Sequence, residues 1–186
     1  MSSSGINLTP VVLPDECQQL RQEVRAFIAE ELANGSFEPK CDAWLTGSSP
    51  EFSKKMGAKG WLGMTWPKAE GGHGRTPLER FVVTEELLQA GAPVACHWVA
   101  DRQSGPSLLK FGNDTLKKKY IPAIVRGDRY FSIGMSEPNT GSDLASVQTR
   151  GEKVDGGWRG TGTKLWTSQA HISHAFILLA RTEPLG

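Results

Sequence analysis

Around Asp128 the hydrophobic period of this chain changes, and that change limits what it can fold into more than any other feature. Upstream, apolar residues recur at three- and four-residue steps, as on amphipathic helices. Downstream, short apolar runs alternate with polar residues between glycine-rich turns, as in strands. One chain with helices first and strands second reads as α+β.

The helical half has legible ends. Leu13, Cys17, Leu20, Val24, Phe27, Ile28 and Leu32 make one face, with Asn34-Gly35 as the stop. Ser49-Pro50 starts a short helix that ends near Gly57 to Gly60. There a hydroxyl cap precedes a proline whose missing N–H costs nothing. Thr76-Pro77-Leu78-Glu79 predicts a capping box and a helix through Val82 and Leu88 to Gly91. A stretch from Pro106 to Phe111 closes at Gly112, and Asn113 caps a last helix that Pro122 kinks and Gly127 ends. The polar stretch Trp66 to Pro77 reads as a surface loop.

From Tyr130 onward, Phe131-Ser-Ile-Gly-Met reads as a strand, and Val147 to Val154 alternates. Asp155-Gly156-Gly157 reads as a hairpin turn, and Trp158 begins the return strand. Ala175 to Arg181 reads as a buried strand. Four or five strands are few for a closed barrel or sandwich. The chain is therefore expected to be a fragment, or to complete its sheet with something else.

Composition removes several function classes. With 21 Lys+Arg against 20 Asp+Glu the net charge is +1, which demands no nucleic acid or anionic surface as partner. No apolar run approaches the length of a membrane span. Met1 to Leu8 lacks the basic-then-apolar order of a secretory signal. Cys17, Cys41 and Cys96 are an odd, widely spaced set without C-x-x-C, so a reducing, cytoplasmic setting is expected and a cysteine zinc site is not.

Two polar stretches carry the chemistry. Met135-Ser-Glu-Pro-Asn-Thr-Gly-Ser-Asp143 follows a strand and is built of turn formers and hydroxyls. Such a turn exposes N–H groups that can cradle a polar ligand. Thr163-Lys-Leu-Trp-Thr-Ser168 sets an indole beside two hydroxyls, a pattern able to stack on a flat ring and bond its heteroatoms. Taken singly, an ordinary turn and a core tryptophan are the plainer readings. His171-x-x-His174 lacks a third metal ligand nearby, and adjacent Cys96-His97 do not share a helix face. Glu85-Glu86 reads as a solvated or packing pair, and Lys117 to Lys119 as a solvated helix face.

Together, with 29 positions from Glu137 to Trp166, the two stretches resemble the paired motifs of the acyl-CoA dehydrogenase family. Gly60-Trp-Leu-Gly-Met-Thr-Trp-Pro-x-x-x-Gly-Gly72, Thr84-Glu-Glu-Leu-Leu and Gly127-Asp128 extend the resemblance upstream, over essentially all of the chain from Leu13. It implies a helical domain, residues 1–129, followed by the start of an antiparallel β-barrel-like domain, residues 130–186, with the family's C-terminal helical domain absent. It implies FAD as cofactor and an acyl-CoA thioester as substrate. In the family a glutamate removes the α-proton while the β-hydrogen leaves as hydride to flavin N5.

Carried over residue by residue, the resemblance has Ile133, Gly134, Met135, Ser136, Gly141 and Ser142 lining the flavin. Ser136 stands where many members have threonine and keeps the hydroxyl. Trp166 would lie against the ring, Ser168 would reach toward N5, and Thr167 would bond through its backbone. Ser142 would also meet the CoA portion. Trp98, Asp101 and Arg102 follow a helix where the family's acyl pocket is floored, and Arg102 could meet a polar or carboxylated acyl group; the plainer reading is a surface salt bridge with Asp101 or another carboxylate. Glu137 reads as structural, and no residue here is assigned as the catalytic base, which in most of the family lies in the C-terminal domain. The resemblance further implies an electron-transferring flavoprotein as partner and a homodimer or homotetramer. A same-fold flavin oxidase or monooxygenase, and a non-catalytic scaffold or subunit, are the alternatives.

Overall fold

The structure is a computed structural model that describes residues 12–183. The signal reading of Met1 to Leu8 lies outside those residues. The helices are α1 (Asp15–Ala33), α2 (Ala43–Thr46), α3 (Pro50–Ala58), α4 (Pro77–Gln89), α5 (Ala95–Val99), α6 (Gly105–Phe111) and α7 (Asp114–Val125). A π-helical turn, Ala100–Ser104, joins α5 to α6.

The local signals act as read. Ser49 Oγ accepts the Phe52 N–H at 3.2 Å, and Asn113 Oδ1 accepts the Leu116 N–H at 2.9 Å. Thr76 and Glu79 form the reciprocal box, Glu79 N–H to Thr76 Oγ1 at 3.2 Å and Thr76 N–H to Glu79 Oε2 at 2.7 Å. Each such cap contributes about 1 kcal/mol. The loop from Trp66 to Pro77 holds a 3-10 turn, Lys68–Glu70, but its first residue is not at the surface: Trp66 is buried. Gly105 permits this, because a Cβ there would strike the Trp66 ring.

The main core lies between α1, α3, α4 and the Trp61–Met64 loop. Phe52, fully buried, meets Phe27 at 5.5 Å and Phe37 at 5.4 Å between ring centroids. Truncating it to alanine would cost about 3–5 kcal/mol. Glu86 of α4 is buried and paired, with Arg25 Nε 2.8 Å from its Oε2. Lys117 at the end of the basic run lies 3.4 Å from Glu70. A second cluster joins Trp66, Ala100, Ile121 and Ile124 to Phe131 of the first strand. The α7 end is pressed onto α3 at Gly127, where φ is +75° and a Cβ would meet the Ser53 carbonyl.

The β region has β1 (Phe131–Gly134), β2 (Arg150–Val154), β3 (Gly157–Thr161) and β4 (Ala175–Leu178). β2 and β3 form the predicted antiparallel hairpin, with Val154 opposite Gly157 and Gly156 at φ +78° in the turn. β1 and β4 pair in parallel, Phe131 opposite Ala175 and Gly134 opposite Leu178. The β region thus holds one antiparallel and one parallel pair. A parallel pair needs a long crossover, which residues 135–174 supply. The two pairs meet through a single bridge, Arg150 to Arg181, and neither closes.

Candidate functional site

The segment after β1 is held open by its own carboxylate. Glu137 is buried and accepts the N–H groups of Gln148 at 2.7 Å and Thr149 at 2.8 Å, and Lys164 Nζ at 2.8 Å. The Lys164 bond, with help from these donors, lowers its pKa to about 2. Its role is structural, as the sequence reading has it: both oxygens are occupied, and a carboxylate with so low a pKa is a weak base. Lys164 Nζ also donates to the Met135 carbonyl at 2.9 Å, and Leu165 N–H donates to the Ser136 carbonyl at 2.9 Å. These bonds bring the two polar stretches side by side. Glu137 and Thr140 exchange both backbone bonds, at 2.8 and 3.1 Å, which makes the sharp turn. Thr140 points inward, while Gly141 and Ser142 face solvent and a Cβ on Gly141 would meet nothing.

With both carbonyls spent, Met135 and Ser136 offer N–H groups and the Ser136 hydroxyl. Met135 is 40% exposed. Trp166 sits at φ +57° with its indole 88% exposed. A bulky residue in the left-handed region costs about 1–2 kcal/mol, and a bare indole gains nothing from burial. Ser168 follows; it is exposed, and its carbonyl accepts Ser132 Oγ at 2.8 Å. Thr167 is half-buried, and its carbonyl accepts the Ala170 N–H at 3.3 Å.

Trp166, Ser168, Gln169 and Ile133 form one wall of an open cavity of about 180 Å³. The opposite wall is helical: Trp44 and Leu45 of α2, Ala95, Trp98 and Val99 of α5, and Gln103 of the π turn. Trp44 and Trp98 are themselves in contact, 5.7 Å between centroids. Of the residues named from sequence, Ile133, Trp166 and Ser168 line this space. Gly134 faces Lys164 on β1, and Met135 and Ser136 are bonded to Lys164 and Leu165 next to Trp166; these residues, like Gly141, Ser142 and Thr167, are not among those lining the cavity. Trp98, singled out beside Arg102, lines this cavity; Trp44, Gln103 and Gln169 were not foreseen, and a tryptophan in the polar stretch after Lys40 was the one available signal.

Arg102 stands off this cavity, behind Trp98. Its guanidinium stacks on the Trp98 ring at 4.1 Å and donates to Thr84 Oγ1 at 2.5 Å. The predicted surface pair with Asp101 does not form. Asp101 is buried and accepts the Gly63 N–H at 2.6 Å. Burial pushes the Asp101 carboxyl up and the Arg102 guanidinium down. No salt-bridge partner of Arg102 occurs among the described residues. Asp101 and Arg102 are consecutive residues of the π turn, and neighbours on a helix do not share a face.

The weaker candidates resolve into packing. His97 is buried with Nδ1 2.8 Å from Ser53 Oγ, and burial takes its pKa down to about 3. Burial raises the neighbouring Cys96 thiol, the opposite of an activated nucleophile. His174 Nδ1 accepts the Tyr130 N–H at 3.1 Å. Among the described residues no group of three or more possible metal ligands gathers, and no helix is long and apolar enough to cross a membrane.

The donor set fits a flat heteroaromatic ring: a free indole face, apolar neighbours, and hydroxyl and N–H donors along one edge. Comparison with known proteins agrees. Residues 14–128 match the family described as acyl-CoA dehydrogenase, N-terminal domain, and residues 132–186 match its middle domain. Acyl-CoA dehydrogenase FadE26 of Mycobacterium tuberculosis is 32% identical over 176 residues, covering 90% of this chain and 42% of that protein. The solved Tcur3481-Tcur3483 steroid ACAD superposes with a TM-score of 0.82 at 35% identity, over 96% of this chain and 46% of that one. A Mycobacterium smegmatis glutaryl-CoA dehydrogenase solved in complex with FADH2 shares the fold, with a TM-score of 0.74 at 22% identity over 92% of this chain and 44% of that one. The chain thus spans less than half the length of each of these relatives.

Proposed function

Because the chain belongs to the acyl-CoA dehydrogenase family, whose cofactor is FAD, we propose that it supplies the helical wall and the flavin shelf of an enzyme that desaturates an acyl-CoA thioester between Cα and Cβ. FAD, when bound, supplies the hydride acceptor. The observation that supports this most is Trp166, held in a costly backbone conformation with its indole almost wholly in solvent beside a row of hydroxyls.

In this reading the helical unit is residues 1–129 and the β unit residues 130–186. Ile133 to Met135 border the ring. The Ser136 hydroxyl and the adjacent N–H groups donate to its pyrimidine edge. Trp166 stacks on it, Ser168 directs a hydroxyl toward N5, and Thr167 donates from its backbone. Gly141 keeps the turn open, and Ser142 meets the CoA portion of the substrate. Trp44 and Trp98 face the acyl group, and Arg102 behind them accepts a polar or carboxylated end. Glu137 and Glu86 are both committed to cations, and no residue of this chain is assigned as the α-proton base. Electrons pass on to an electron-transferring flavoprotein, and the assembled cytoplasmic enzyme is a homodimer or homotetramer.

The test is flavin binding followed by reduction. FAD added to the purified protein should be retained, with quenched fluorescence. In the full-length enzyme, anaerobic acyl-CoA should then bleach the flavin band. The 186-residue chain alone should bind without turnover. Failure to retain FAD in any form, full-length included, would sink the reading.

A further inference from the structure

One side chain ties the flavin-side wall of the cavity to the start of its helical wall, more than 100 positions upstream. Gln169 Nε2 donates to the Leu45 carbonyl, and Gln169 Oε1 accepts Ser48 Oγ at 2.6 Å, across separations of 124 and 121 residues. A carbonyl can only accept, so the amide has one orientation here. Both of its ends are spent on the helical unit.

The backbone is arranged for that reach. Gln169 is at φ +61°, and Trp166, three positions earlier, is at φ +57°. Left-handed non-glycine residues persist where surrounding contacts over-determine them. The Gln169 carbonyl is also occupied, accepting Ser173 Oγ at 2.8 Å and the Ile172 N–H at 3.2 Å. The residue is therefore pinned on the loop side and the helical side at once. Trp166 and Ser168 stand just before it; Trp44 and Leu45 belong to the helix it grips.

We propose that Gln169 is a positioning residue, a clasp that sets the gap between the Trp166–Ser168 wall and the Trp44–Trp98 wall. This rests on the reading that the gap holds the flavin ring and the acyl group. Gln169 borders this cavity, but its amide is spent on Leu45 and Ser48; its part is to fix the separation of the two walls, and a separation wrong by about 1 Å is costly to a stacked, hydrogen-bonded ring.

The experiment uses three variants of the purified protein, with amide hydrogen exchange and FAD titration as readouts. Gln169→Ala should speed exchange in residues 43–48 and 165–170, leave the α1–α4 core protected, and weaken FAD binding roughly tenfold, as expected for two lost hydrogen bonds. Gln169→Glu keeps the size but sets a carboxylate oxygen against the Leu45 carbonyl. It should bind FAD no better than the alanine variant, whereas a space-filling role would leave it near the parent. Gln169→Gly relieves the left-handed strain, so its unfolding midpoint should hold while FAD affinity falls. Unchanged exchange at 43–48 in the alanine variant, or parental FAD affinity in the glutamate variant, overturns the clasp. Should the parent itself retain no FAD, the flavin reading fails and exchange alone decides whether Gln169 joins the walls.

Discussion

Lys164 places its Nζ 2.8 Å from Oε1 of Glu137, 27 residues upstream, and the same ammonium holds the Met135 carbonyl at 2.9 Å. One cation thus fixes both the carboxylate inside the turn and the backbone that borders the cavity. The strand that ends at Gly134 and the segment that carries Trp166 are laced together here.

That pairing predicts an acid-sensitive step. The folded Glu137 pKa is held down to about 2, against an ordinary 4.5. The folded state therefore binds this proton less readily than the unfolded one. The stabilisation is fully present above pH 4.5 and is lost as pH falls toward 2. Glu137→Gln should lower stability at neutral pH and flatten the decline across that window. Urea unfolding midpoints measured from pH 7 downward would show it; parallel curves for parent and variant would exclude it.

A second pH dependence comes from His97, whose pKa falls from 6.5 to about 3 on burial. Its folded form is neutral, so stability is complete above 6.5 and declines as pH drops toward 3, by several kcal/mol in all. In His97→Asn the amide oxygen can accept from Ser53 without titrating. The parent should lose far more stability between pH 7 and 4.5 than this variant, read by thermal unfolding at the two pH values.

Trp166 should separate stability from binding. Trp166→Gly removes a left-handed non-glycine strain of about 1–2 kcal/mol and adds back about 0.5–1 kcal/mol of backbone entropy. The variant should be as stable as the parent, or more stable by up to about 1.5 kcal/mol. Its FAD affinity should drop roughly tenfold through the lost stack. A calorimetric scan and a FAD titration on the same sample provide both values.

Arg102 carries the specificity prediction. Its guanidinium uses one donor on Thr84 and one face on Trp98, leaving further donors for an anion. In the full-length enzyme, Arg102→Gln should raise KM for an acyl-CoA with a terminal carboxylate by about 10–100-fold, as for a lost charge-assisted bond. The methyl-terminated analogue of equal length should be little affected. Equal effects on both substrates would remove Arg102 from the acyl site.

The caps at Ser49, Thr76 and Asn113 were legible because a hydroxyl or amide, a proline and a glutamate act on neighbours within four residues. The helix from Ala95 into the π turn was not. Ala92, Val94, Ala95, Cys96, His97 and Ala100 are all buried, so no polar face marks a period. The Val147–Val154 alternation anticipated β2, yet the direction in which β1 meets β4 is not written in either strand's pattern. At the site, the spacing of the two polar stretches pointed to Ile133, Trp166 and Ser168, which share one cavity. Trp98 was marked beside Arg102, but Trp44 and Gln169 escaped because they reach the cavity only through contacts over long separations, and Asp101 left Arg102 for a backbone N–H of Gly63.

The parallel pairing of β1 with β4 also sets an order of events during synthesis. When Phe131 to Gly134 leave the ribosome, the strand they must lie against, Ala175 to Leu178, has not yet been translated. The helices, whose partners are closer in sequence, can consolidate while the nascent chain waits. Any premature release before Leu178 would yield a folded helical body with its binding ledge unmade, a species for chaperones or proteases to recognise by the bare edge of a single strand.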